Sequence, residues 1–234
     1  MKRFLSITFL FFTALVFSQN TIKVVYSGVM SLDNKSSSSR TNLHGVFVPT
    51  EFELKINQDF SVFHYLDRIN NAQADMMFML GLDDDMYIDL SKNSAYERRE
   101  IGKKKFLVQR DISYYPWTIT RQSQKMFGYN VRKAFFSDGE ESVVAYFATD
   151  LPFRHGPYGY FGLPGLIVAL DITIKTSQGA LLGKHFALKS IEILDESQPI
   201  VLPKDKLISY DKAERLADEW FDKQIEIQSQ GVEK

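Results

Sequence analysis

Two stretches of this chain alternate apolar and polar side chains with a period of two, and that periodicity restricts the fold more than any other feature. Leu166, Val168, Leu170, Ile172 and Ile174 form an apolar stripe opposed by Asp171, Thr173 and Lys175. Phe52, Leu54 and Ile56 do the same against Glu51, Glu53 and Lys55. Successive side chains of a strand point to opposite faces, so such a stripe buries one face of a sheet and wets the other. Asn57-Gln58-Asp59 supplies turn chemistry after the second stripe, and Phe60 to Leu66 reads as the returning strand of a hairpin. Residues 86–90, 104–109, 117–120 and 143–149 read as further short strands. Gly179 and Gly183 bracket a loop, after which 185–194 returns antiparallel. Strands joined by short turns, without helices of matching number between them, predict a mainly β protein built on a curved antiparallel sheet or open half-barrel.

The last segment has a different period. Asp211 and Glu214 fit the D-x-x-E form of a capping box, and Ala213, Leu216, Ala217, Trp220, Phe221 and Ile225 follow at helical spacing with Asp218, Glu219 and Lys223 outside. One C-terminal amphipathic helix is therefore predicted, and α+β is the alternative label. A second, shorter helix is predicted near 70–80, where Ala72, Met76, Met77 and Leu80 share a face. Residues 34–40 contain four consecutive serines and read as a mobile loop, and residues 92–105, with Glu97-Arg98-Arg99-Glu100 at their centre, read as a solvated charged loop.

The start of the chain reads as an address. Lys2 and Arg3 precede an apolar run from Phe4 to Phe17, and Val16-Phe17-Ser18 offers a small residue at the position a signal peptidase needs. This is the pattern of a secretory signal over residues 1–18, with an uncleaved anchor helix as the less favoured reading. Cleavage leaves residues 19–234 as a single β-rich domain that does not span a membrane. It also removes Lys2 and Arg3, leaving 26 basic against 29 acidic side chains and a net charge of −3. That balance gives no reason to expect nucleic acid or an anionic membrane surface as partner. The chain has no cysteine, which excludes disulfides, thiolate metal sites and cysteine nucleophiles.

Residues 145–171 carry an unusual loop. Glycine falls at 156, 159, 162 and 165, and prolines at 157 and 164. Pro164 presets φ for the first central position of a turn, and Gly165 is expected to supply the positive φ that a type II turn needs next. Tyr158, Tyr160 and Phe161 give the loop more apolar area than solvent exposure requires. Two readings stand open: the loop packs down over the sheet, or it presents a binding surface with His155, Tyr158, Tyr160 and Phe161 as the ligand-binding candidates.

The string Gly162-Leu163-Pro164-Gly165-Leu166-Ile167 resembles the hexapeptide of the GLPGLI family of bacterial secreted proteins. Its setting is similar too: a lysine-rich strand start at 103–108, Trp117-Thr118-Ile119-Thr120, Gly128-Tyr129 with Lys133-Ala134, an aromatic strand from Tyr146 to Pro152, and Gly156-Pro157-Tyr158. The resemblance covers residues 103–175. It implies an exported, mostly β protein of double-membraned bacteria with no established activity, in which the hexapeptide is a structural motif. The pattern also resembles, at the level of fold, the open sheets of periplasmic lipoprotein carriers. Many family members carry a cysteine where this chain has Val131, so a thiol-based role does not transfer.

Little in the chain points to catalysis. The histidines at 44, 64, 155 and 185 lack metal-ligand spacing, Asp83-Asp84-Asp85 lacks the calcium-loop pattern, and no nucleophile elbow or phosphate loop occurs. No metal or cofactor is expected. Asp150, Arg154 and His155 form the one suspicious cluster, read either as an ion pair holding the loop with His155 bonded to backbone, or as a hydrolase site with His155 at a pocket mouth. The leading expectation is a non-enzymatic exported protein, periplasmic or extracellular, that holds an apolar small molecule, lipid or protein segment. The rivals are a partner or assembly factor of an outer-membrane protein, using a free sheet edge, and last a hydrolase built on Asp150 and His155.

Overall fold

A computed structural model describes residues 21–33, 44–46, 49–66, 85–175, 179–194 and 200–230. The expected signal at 1–18, the serine loop at 34–40 and the helix near 70–80 lie outside the described residues. In chain order the strands are β1 (Ile22–Asp33), β2 (His44–Val46), β3 (Thr50–Asn57), β4 (Phe60–Tyr65), β5 (Met86–Asp89), β6 (Ser94–Ile101), β7 (Lys104–Asp111), β8 (Thr118–Met126), β9 (Tyr129–Ser137), β10 (Glu141–Ala148), β11 (Leu166–Lys175), β12 (Leu181–Ile193) and β13 (Lys206–Ser209), followed by helix α1 (Tyr210–Gln230).

Among the described residues, thirteen strands join one sheet in the order β13-β7-β6-β5-β4-β3-β1-β12-β11-β10-β9-β8, with β2 beside β1. Every pairing is antiparallel except β13 on β7. The outermost strands β13 and β8 do not pair with each other, so the sheet stays open. The mainly β reading with one C-terminal helix holds.

Directly opposed residues share a face, so the register tells which side each residue takes. Leu54 lies opposite Phe63, Phe63 opposite Met86, Met86 opposite Glu97, and Glu97 opposite Val108. One face, called inner here, therefore runs from Val24, Tyr26 and Leu54 to Val108. Most of the stripes read from the sequence lie on it: Phe52, Leu54 and Ile56 from β3, Val143, Ala145 and Phe147 from β10, and Leu170 and Ile172 from β11 join one core. The register shift between Tyr146 and Phe147 turns Leu166, opposite Ala148, to the other face. Burying each of the larger side chains among them contributes about 1.5–3 kcal/mol. Helix α1 packs on the inner face as well, with Ala213 against Phe106, Val108 and Ile208. The outer face has its own small cluster, in which Val62, Tyr87, Tyr96 and Leu107 are covered by Ile200 and Leu202.

Four local expectations change. The charged stretch 92–105 is not a loop, because residues 94–101 form β6 and pair along their whole length with β7. Its two arginines are matched, with Arg98 meeting Asp205 at 2.8 Å and Arg99 bridging Glu97 and Glu214, while Glu100 and Lys103 to Lys105 are exposed as expected. Helix α1 begins at Tyr210, one residue before the expected cap, and Glu214 serves Arg99 instead of closing a capping box. Gly183 does not bracket a loop but sits inside β12, opposite Ser31 and Thr173. Finally, Gly165 does not take a positive φ. In that motif the left-handed conformation falls at Gly162, with φ 96°.

Candidate functional site

The β10–β11 connection lies on the sheet and fills part of the inner face. Its backbone is tied at both ends: Leu166 N–H donates to Leu151 O at 2.9 Å, and Ile167 N–H donates to His155 O at 3.2 Å. Gly162 N–H reaches back to Arg154 O at 2.8 Å, and His155 and Phe161 form an isolated antiparallel bridge. Between them Pro157–Gly159 makes one 3-10 turn, with Tyr158 in the left-handed region at φ 54°. The Trp117 indole N–H donates to Phe161 O at 2.9 Å, and the Tyr26 hydroxyl, from across the core, donates to Ile167 O at 2.7 Å.

Aromatic rings continue this loop into the sheet. Tyr160 stacks on Tyr115 at 4.8 Å, Tyr158 runs parallel to Phe186 at 6.0 Å, and Phe186 meets Phe52 edge-on at 5.2 Å. Phe161 meets Tyr115 edge-on at 5.4 Å. Phe153, Tyr160, Phe161 and Leu163 are buried. Of the two readings of the loop, the packed one describes the structure.

Two polar pairs lie inside this layer. The Tyr160 hydroxyl donates to Glu141 Oε1 at 2.5 Å, and burial together with that carboxylate holds its pKa far above the ordinary phenol value. Lys184 is 4% exposed, donates from Nζ to the Tyr158 hydroxyl at 2.6 Å, and has that Nζ 4.0 Å from the Tyr158 ring centre. Burial lowers its pKa to about 8, with the Glu141 charge acting in the opposite direction.

The structure separates the members of the suspicious cluster. Asp150 is exposed and accepts from Asn130, at 3.3 Å from the backbone N–H and 3.0 Å from Nδ2. Arg154 is exposed, and no ion pair joins it to Asp150 among the described residues. His155 is 1% exposed, not at a pocket mouth, and the Gln58 backbone is its polar neighbour. Burial pushes its pKa down to about 4, Arg154 adds to the lowering, and the nearby Gln58 backbone partly offsets it. His64 lies 3.3 Å from Glu53, and His185 pairs with Asp171. Among the described residues no three histidine, aspartate or glutamate side chains gather as a metal site.

Open space lies elsewhere. The described residues frame clefts of about 940, 490 and 320 Å³, and none of the three is lined by His155, Tyr158, Tyr160 or Phe161. The 940 Å³ cleft runs between the start of α1 and the β6–β7–β13 edge, where Leu207, Ile208 and Tyr210 meet Glu97, Arg99 and Arg110. The Arg99 guanidinium lies 5.4 Å from the Tyr210 ring centre, a cation–π arrangement that fixes both groups at the cleft wall. These residues escaped the sequence reading because the charges of 97–100 masked a strand. Residues 94–101 carry no apolar–polar alternation that would have marked the strand.

Fold and site together define a class: an open antiparallel sheet whose inner face is covered by its own aromatic loop at one end and by a helix at the other. A family model described as a protein of unknown function (Porph_ging) matches residues 136–169, the stretch from the end of β9 through the loop into β11. Two crystal structures of PNGF-II, in different space groups, superpose with TM-scores of 0.54 and 0.55 at 12% identity and cover 86% of this chain. This chain spans only 34% and 33% of those PNGF-II chains, and the likeness shows the fold alone. A LolA superfamily protein from Nitrosomonas europaea aligns over 80% of this chain and 89% of its own, with a TM-score of 0.32 and 4% identity, too distant to carry an argument. No curated protein matches the chain in sequence. Among the described residues, no helix is long and apolar enough to cross a membrane.

Proposed function

We propose that this is a GLPGLI-family protein, exported through a signal at residues 1–18 to the periplasm or cell exterior, which performs no catalysis and binds an apolar ligand bearing an anionic group. The observation that carries the binding reading is the 940 Å³ cleft, within the usual range for small-molecule sites, where the exposed Arg110 guanidinium, in no ion pair among the described residues, stands beside Leu207 and Tyr210, with Glu97, Asp111 and Asp211 also on the wall. Such a wall suits a lipid-like molecule: the apolar side chains take the chain, and a guanidinium takes a carboxylate or phosphate. The ligand position thus moves away from His155, Tyr158, Tyr160 and Phe161, which support the sheet from within.

The assembly-factor reading has weaker support, because both free edges are blunted. Strand β8 breaks register between Ile119 and Ser123 and carries Arg121 and Lys125, while β13 is four residues long. A hydrolase on Asp150 and His155 has the least support, since Asp150 is exposed and held by Asn130 while His155 is buried.

The test is mass spectrometry of organic extracts from protein recovered after export, combined with displacement of a fluorescent acyl carboxylate. Arg110→Glu is expected to weaken that probe about tenfold or more, with the melting temperature unchanged. A clean, empty preparation that ignores the probe overturns the reading. N-terminal sequencing of the same sample is expected to begin at Gln19, and a start at Met1 removes the cleavage claim.

A further inference from the structure

Midway along α1, away from the cleft, we propose a docking surface for an anionic phospholipid bilayer, formed by the β6–β7 turn and the exposed helix residues Trp220 and Phe221. The turn presents Lys103, Lys104 and Lys105, all exposed. Lys103, Lys104 and Lys223 take part in no ion pair among the described residues, whereas Arg98 and Arg99 of the same hairpin are matched by Asp205, Glu97 and Glu214. Lys105 lies across from Glu100 in the register and adds less.

Trp220 rests on this turn. Its indole stands 3.0 Å from where a β-carbon on Gly102 would lie, so the glycine lets the ring settle against the backbone. The ring is still 45% exposed, and the next residue, Phe221, is 60% exposed. Beneath them Ile101, Phe106, Leu216 and Trp220 line the 320 Å³ cleft, which Lys103, Lys104 and Lys223 rim, with Glu219 as the acidic group on its wall.

An apolar floor under a rim of ammonium groups matches the layering of a bilayer surface. Tryptophan sits at headgroup depth, and lysine reaches lipid phosphates. The helix separates its charges accordingly: Asp218 and Asp222 are each two residues from Trp220, about 200° around the helix, and point away from the turn. The overall charge conceals this patch because acidic residues elsewhere cancel it. The charge complementarity selects anionic lipid over a neutral apolar partner.

The experiment is co-sedimentation of the exported protein with vesicles of equimolar phosphatidylglycerol and phosphatidylcholine, or of phosphatidylcholine alone. Binding is expected only to the anionic vesicles and to fall with salt. The variant Lys103→Gln/Lys104→Gln/Lys223→Gln, which changes exposed residues only, is expected to weaken it about a hundredfold, near fivefold per lysine. Trp220→Ala is expected to weaken it about tenfold, and Lys104→Glu alone gives the same direction should the triple variant fold poorly. Equal binding to neutral vesicles, no sedimentation with anionic ones, or undiminished binding by the lysine variants overturns the proposal. So does full competition by millimolar sn-glycerol 3-phosphate, which would mark a site for a soluble anion.

Discussion

At Gly165 the constraint is contact rather than dihedral angle. A β-carbon there would stand 2.2 Å from Ala148 O and 2.9 Å from its carbonyl carbon, and neither backbone atom can swing aside. Gly165→Ala is therefore expected to destabilise by about 1–3 kcal/mol, the usual penalty for overpacking, and Gly165→Val by more; chemical denaturation measures both. Sequence spacing located the motif and its glycine, but not the reason, because the clash comes from β10. His155 makes a second residue-scale prediction. Its folded pKa of about 4 lies below the 6.5 of the free side chain, so the unfolded chain binds more protons between those values. Stability is full above pH 6.5 and falls by about 3 kcal/mol as the pH drops through 4. In His155→Leu that loss is expected to disappear, read as melting temperature at pH 5 relative to pH 7. Glu53 acts at lower pH: a hydrogen bond from His64 holds its carboxyl near 2, against burial and with help from Lys55. The stability it contributes is present above 4.5 and lost as the pH falls toward 2, and Glu53→Gln is expected to flatten that part of the acid profile.

Among the elements, the apolar-striped strands β3, β10 and β11 were legible because one face of each meets a packed core. Strand β6 was not, since its inner positions include Glu97 and Arg99, whose burial becomes acceptable only when Glu214 arrives from α1. Strand β8 extends to Met126 across a break in register, where the Arg132 guanidinium donates to Thr120 O at 3.2 and 2.8 Å and satisfies a carbonyl that the ladder leaves open. Arg132→Ala is expected to cost about 1–3 kcal/mol by orphaning that carbonyl, and to raise amide exchange in residues 118–124 first. The C-terminal helix was visible from its period: Ala213 and Leu216 touch the sheet, while Trp220 and Phe221 are exposed. Ala213→Asp, placing an unpaired carboxylate in a fully buried site, is expected to release α1 from β7 and β13. The signature is early loss of helical circular-dichroism signal in a denaturant titration, with the β signal surviving to higher denaturant.

For the whole molecule, an open sheet has a middle and two edges, and its stability should grade accordingly. Strands β1, β12 and β11 lie between neighbours on both sides and carry the largest core, whereas β8 and β13 each pair on one side only. Hydrogen exchange is expected to show the strongest protection in β1, β11 and β12 and the weakest in β8 and β13. Uniform protection would mean that the sheet opens only as one unit. The sequence alone determined the mainly β class, most strand positions, the C-terminal helix and the loop that would distinguish the chain, because periodicity and turn chemistry act within a few residues. It did not determine which aromatic residues face a ligand. Tertiary structure decided that His155, Tyr158, Tyr160 and Phe161 pack against the sheet, that Asp150 and His155 stay apart, and that the open cleft lies beside Arg99, Arg110 and Tyr210. Those outcomes depend on strands brought together from distant parts of the chain, and whether a buried charge is tolerated depends on a partner that local sequence does not show.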